Sequence, residues 1–354
     1  MEKKTKIAGL ITVAFLITGC QDSESEGNSK SSESSENGSV EVVETDDHTE
    51  ADNESGNNSD TEDGTSDGDG MDTSDEVSND EESDTDVYGG SQKTPDYFID
   101  THVFNHESGL YTAYAIHRDE NEEQALSPEE RLETSLLNND PSEQDILSSY
   151  AELSSEWPNL SIHFNEEGNE LAATTAQSSL FFDALFGISD LYGIEEITFL
   201  NPEGEKDMTV AERTVYESIT VKDERGLTRG YYTIYDEGLE ETLFLPGGEL
   251  EEHVVNGNDE PLSFPETIEA MSSVDRPDAF YSSAIVEGIQ IVDSSITNGV
   301  ATVQYTMDEE IVTDADRTVF ENAIQLTALD FHAWEVEIMN DTLKESNTYP
   351  LIGQ

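Results

Sequence analysis

Histidine is the side chain that ligates metals or moves protons at neutral pH, so the seven histidines of this 354-residue chain come first. His102 and His106 are four apart, the spacing that puts two ligands on one face of a helix. They lie in "THVFNHES", however, which reads as strand and turn, so they are expected as surface polar residues. His163 sits between Ile162 and Phe164 in a strand pattern, hence on the opposite face and expected exposed. Glu195 and Glu196 resemble the carboxylate pair of a glycosidase, but neighbours on a strand point to opposite sides and share no substrate. Trp157, Trp334, Tyr231 and Tyr232 have the ring chemistry of a glycan surface; close to strands, such rings read as core or rim. The stretch "DGTSDGDGMDTSDE" has the composition of a calcium loop. Counted from Asp63 it puts Ser74 where the bidentate glutamate belongs, and from Asp67 it puts Met71 at the fifth position. No zinc-helix, nucleophile-elbow, phosphate-loop or dinucleotide motif occurs. The expectation is therefore no catalytic residue, no cofactor and no metal ligand.

One reactive residue remains. Cys20 is the only cysteine, so no disulfide forms within the chain. It follows Lys3, Lys4 and Lys6 and an apolar run, Ile7 to Thr18, too short for a comfortable span but with the length and flanks of a secretory signal. Ile17-Thr18-Gly19-Cys20 resembles the lipobox of bacterial lipoproteins. That resemblance implies cleavage after Gly19, a diacylglycerol thioether and palmitate-type acylation on Cys20, and a location on the extracytoplasmic face of the cell membrane. Two acyl chains anchor stably where one does not.

Charge narrows the partners. There are 81 acidic residues against 15 basic, a net of −66, which excludes a nucleic-acid partner held by a basic patch and adhesion to an anionic leaflet. From Gln21 to Pro95 the chain is Ser, Asp, Glu, Asn and Gly with 25 acids and two lysines. Such a segment buries too little surface to offset its ordering entropy and is expected to be a disordered tether. Residues 96–354 still carry a net of −45, spread along helices and turns. Salt relieves that self-repulsion, which points to a salt-tolerant host.

Periodicity in this remainder alternates strands and helices. Gly109–Arg118, Leu160–Phe164, Ile194–Asn201, Gly230–Tyr235 and Glu240–Leu245 read as strands. Ser127–Leu137 and Ser263–Ser273 are helices opened by a capping serine and a proline near the start. Ile289–Thr306 is a hairpin turning at Asn298-Gly299. Thr175–Gly193 and Asp314–Phe331 are long helices, and Trp334–Asn340 is read as the last strand. Arg213–Gly230 fits either an extra hairpin or the first strands of a second unit.

The two long helices and the strands after them align without a gap at an offset of 139. Leu180, Phe181, Ala184, Leu185, Tyr192, Ile197 and Phe199 fall on Val319, Phe320, Ala323, Ile324, Phe331, Val336 and Ile338. Upstream the match slips by two, with Ile162 and Phe164 meeting Val303 and Tyr305. This predicts an α+β fold of two tandem small domains, each a short sheet packed by helices. The expected divisions are a signal peptide at 1–19, the acidic linker at 20–95, and domains at 96–208 and 209–354.

The pattern Gly299, Ala301, Val303, Tyr305, then Thr327 and Phe331, then Val336 and Ile338, resembles the GerM domain of sporulation and spore-germination lipoproteins. The first unit resembles it less, having Trp157-Pro158-Asn159 in place of a glycine hairpin, and Asn340-Asp341 replaces the glycine expected after the last strand. The resemblance implies a fold like the ring-building modules of secretion and sporulation machines. It also implies a membrane-tethered assembly factor rather than an enzyme, with envelope or sporulation proteins as partners and rings or homo-oligomers among its assemblies. The alternative is an envelope lipoprotein presenting both domains to a glycan, a peptide or a signalling protein outside sporulation.

Overall fold

The computed structural model describes residues 88–119, 125–142, 145–165 and 175–352. Cys20, the signal segment, the calcium-like stretch and most of the acidic linker lie outside the described residues. The described residues form one compact unit.

In chain order the strands are β1 (Gly89–Gln92), β2 (Tyr97–His106), β3 (Gly109–Arg118), β4 (Ala151–Glu156), β5 (Asn159–Phe164), β6 (Glu196–Leu200), β7 (Met208–Val210), β8 (Arg213–Val215), β9 (Ile219–Thr220), β10 (Tyr231–Asp236), β11 (Glu241–Pro246), β12 (Ser282–Ser283), β13 (Ile289–Thr297), β14 (Val300–Met307), β15 (Glu335–Asn340) and β16 (Glu345–Pro350). The helices are α1 (Pro128–Asn138), α2 (Ile146–Tyr150), α3 (Thr175–Leu191), α4 (Val221–Arg225), α5 (Phe264–Ala270) and α6 (Asp314–Asp330). The fold is α+β.

The helix starts follow from local chemistry. Ser127 and Thr313 accept from the N–H of the third residue of their helix, Ser263 donates to Glu266 at 2.5 Å, and in all three the acid at that third position accepts from the cap's backbone N–H. α3 and α6 begin and end at the same 139-residue offset.

The first repeat is β4-β5-α3-β6. β4 and β5 are antiparallel, and β6 lies parallel to β5, with Asn159 opposite Glu196. The second is β13-β14-α6-β15, with the same antiparallel hairpin and β15 parallel to β14, Val300 opposite Glu335. A further antiparallel strand completes each sheet, β9 on β6 and β16 on β15. Trp334–Asn340 is thus not the last strand. β16, "ESNTYP", lacked the apolar alternation that marks a strand and is fixed by pairing instead. The turn into it needs no glycine: the Asn340 side chain accepts from the Thr342 and Leu343 N–H groups, and Lys344 takes a positive φ of 55°.

β1 extends the second repeat's sheet in parallel with β16, so the end of the expected linker is an edge strand. Between the repeats lies a five-stranded sheet in the order β12-β10-β11-β3-β2, drawn from both sides of residue 208. One face of it packs on α1, α3 and α6 within a core continuous through both repeats. The other carries a smaller cluster with Ala113, Tyr232, Leu243 and Leu245. β7 and β8 form an extra hairpin, and β9 with α4 finishes the first repeat.

Candidate functional site

Each repeat keeps its apolar residues on the helix side of its sheet. Leu160, Ile162, Ile197 and Phe199 are buried there in the first, and Ala301, Val303, Val336 and Ile338 in the second. The opposite faces carry short hydroxyls and carboxylates. The first repeat presents Ser161, Glu196 and Thr198, and Thr198 bonds Ser218 at 2.8 Å. The second presents Thr302, Glu335 and Glu337, and Ser346 donates to Glu337 at 2.7 Å. These polar faces suit protein contact through hydrogen bonds. Thr198 and Glu337 are thereby tied to neighbouring segments.

Between the repeats stands a buried arginine that the sequence did not mark. α4 delivers Arg225, whose side chain is 4% exposed, to the carboxyl ends of α3 and α6. Its guanidinium donates to Asp190 at 2.8 Å, to the Gly187 carbonyl at 3.2 Å and to Tyr231 Oη at 2.8 Å, and stands 3.1 Å from Asp330. Tyr231 and Thr228 donate to Asp330 at 3.1 and 3.0 Å. A cation there meets both carboxylates and the negative ends of two helix dipoles. Burial alone would lower the Arg225 pKa; Tyr231, Asp330, Tyr114 and Asp190 outweigh it and hold the group well above its ordinary value. Burial also pushes up the Tyr231 hydroxyl and the Asp330 carboxyl, the latter against Arg225.

Two more arginines lie over Tyr97, the half-buried Arg118 at 5.3 Å and the buried Arg131 at 4.7 Å from its ring centroid. Arg131 donates to the carbonyls of Pro95 and Leu351, joining the start of the described body to its end. Burial drives the Tyr97 hydroxyl up to about 12. The only signal for these roles was scarcity: ten basic residues in 259, three of them among these ties.

The residues first singled out are scattered. His102 and His106 share a face of β2; His106 bonds Ser108 at 2.8 Å and stacks on Phe280 at 4.0 Å. His163 lies opposite Ile162 as expected but is half-buried, not exposed, and its Nε2 is shielded from solvent. Glu195 and Glu196 are both exposed. Tyr231 and Tyr232 are core residues, 0% and 2% exposed, and line no surface. Trp157 and Trp334 pack at the hairpin corners of their repeats, against Gly193 and Gly299. Among the described residues no three His, Cys, Asp or Glu are grouped to hold a metal. Among the same residues no helix is long and apolar enough to cross a membrane.

No family model and no curated protein matches the chain. Among solved structures it is similar to the tandem GerMN domains of the sporulation protein GerM from Bacillus subtilis. The two are 11% identical over 72% of this chain and 96% of that one, with a TM-score of 0.36.

Proposed function

We propose that this chain is a non-catalytic, lipid-anchored docking protein of the sporulation and germination type. Cys20 is the anchor, and the tandem repeats are the surfaces that partner proteins meet. The observation that carries the reading is the doubled hairpin–helix–strand unit. Of its aligned positions, Phe181/Phe320, Ala184/Ala323, Leu185/Ile324, Ile197/Val336 and Phe199/Ile338 are buried in both repeats, which leaves polar sheet faces outward. Deleting the gene in its host should lower the count of heat-resistant or germinating spores. Unchanged counts would remove the sporulation role. Cys20→Ala should release the protein from the membrane fraction, and its retention there would remove the lipid anchor.

A further inference from the structure

β2 is the outer strand of the middle sheet, and one side of its backbone is free over half its length. His106 faces Gly109 across a two-residue turn, so even-numbered residues exchange backbone bonds with β3 and odd-numbered ones point away. The start of the outward side is covered: Tyr97 accepts from Tyr192 Oη at 3.0 Å, and the Ile99 N–H donates to Ser135 at 2.9 Å. α1 then diverges. Among the described residues, the outward N–H and C=O groups of Thr101, Val103 and Asn105 meet no partner.

Beside this stretch runs a groove of about 510 Å³. Thr101, His102 and Val103 form one wall, and the end of α1 with Asp140, Asp145 and the Asp236–Leu239 turn form the rest. No lysine or arginine lines it. The negative end of the α1 dipole, with no basic residue in its last turn, faces the same space. Leu239 is 48% exposed at the rim. A free edge supplies backbone affinity for an added strand, and pockets at alternate positions supply side-chain choice.

We infer that the β2 edge from Thr101 to Asn105 accepts an extended, lysine- or arginine-bearing segment of a partner protein as a sixth strand. Its cations would lie against Asp140, Asp145 and Asp236, and its apolar residues against Val103 and Leu239. A second copy of this chain is disfavoured as the occupant, because residues 96–354 carry a net of −45. The inference rests on the docking reading but not on sporulation, so a peptide titration and a spore count fail separately.

The test is fluorescence anisotropy with the full chain and a labelled peptide of alternating lysine and valine. Controls are a glutamate–valine peptide and the lysine–valine peptide N-methylated at every second residue on its pairing side. The unmodified peptide should bind at least tenfold more tightly than either control. Val103→Pro, which removes an outward N–H on an edge strand where proline is tolerated, should weaken it at least tenfold with the circular dichroism unchanged. Asp236→Asn should weaken it severalfold. Equal binding by the N-methylated peptide would show charge attraction only and overturn the inference, as would no binding by the unmodified one. Self-association of the wild-type chain that Val103→Pro abolishes would overturn the choice of occupant. Should Val103→Pro not fold, the N-methylated control decides.

Discussion

The hairpin corner of the first repeat and that of the second each pack a tryptophan ring on a glycine, from positions that do not correspond. In the first, the β4–β5 turn is Trp157-Pro158, with a cis bond between them, and the Trp157 ring lies against Gly193 just after α3. In the second, the β13–β14 turn is Asn298-Gly299, and the large ring is Trp334, just after α6, lying against Gly299. The turn backbones differ, but the chain leaving each helix bonds the turn in the same way. The Glu195 N–H donates to the Pro158 carbonyl at 2.8 Å and the Trp334 N–H to the Gly299 carbonyl at 2.9 Å. Both helices close with the paired bonds of a Schellman motif, Gly193 to Asp190 and Ile194 to Ser189, then His332 to Leu329 and Ala333 to Ala328. At the 139 offset Trp334 falls on Glu195 and Gly193 on His332, so ring and glycine are not traded place for place.

What finishes each sheet does differ. β9 leads the first repeat into α4 and Arg225; β16 accepts β1 at the edge of the second. The largest expected effect lies there. Arg225→Met leaves Asp190 and Asp330 without their cation and should cost about 3–5 kcal/mol in urea unfolding. Arg213→Met, which breaks the exposed pair with Glu224, should cost about 0–1 kcal/mol. Equal costs would mean that the junction does not hold the repeats together.

The corner itself comes next. Trp334 is 41% exposed, so Trp334→Ala forfeits part of a ring's burial, about 1–2 kcal/mol, and adding Gly299→Ala should cost about 1 kcal/mol more. In the Gly299 variant the strain is in the backbone, since φ is 78° and an added Cβ would meet the indole at an ordinary 3.5 Å. His332 fills at φ 52° the place that Gly193 takes at 78° in the first repeat. His332→Gly should therefore stabilise the protein by about 0.5–1 kcal/mol. A loss would show that its ring, 3.9 Å from Asp190, matters more than the left-handed backbone.

The smallest effect is an acid one. Arg213, bonding Glu224 at 2.9 and 2.6 Å, holds that carboxyl below the usual glutamate range. The unfolded chain then binds more protons, so this contribution is present above about pH 4.3 and is lost as pH falls below it. Glu224→Gln should flatten the decline of stability in that window. An unchanged slope would place the acid sensitivity elsewhere.

Much of the comparison was legible in the sequence because it is local. Ser127, Ser263 and Thr313 announce their helices by capping, Asn298-Gly299 its hairpin by turn chemistry, and the apolar spacing at offset 139 the doubling. What stayed hidden depends on distant partners. "GGSQ" and "ESNTYP" have no apolar rhythm and become strands only by pairing with each other and with β15. Arg225 looks like any charge in "VKDERG" until α3 and α6 close over it. The free side of β2 is equally silent, since the sequence does not say where α1 leaves the strand.

The most direct test of the twice-used unit is an NMR measurement of inter-strand contacts on the intact protein. The account predicts parallel pairing of Ile162 with Phe199 and of Val303 with Ile338, with residues 175–200 superposing on 314–339 as helix then strand. Antiparallel or absent pairing in either repeat would contradict it.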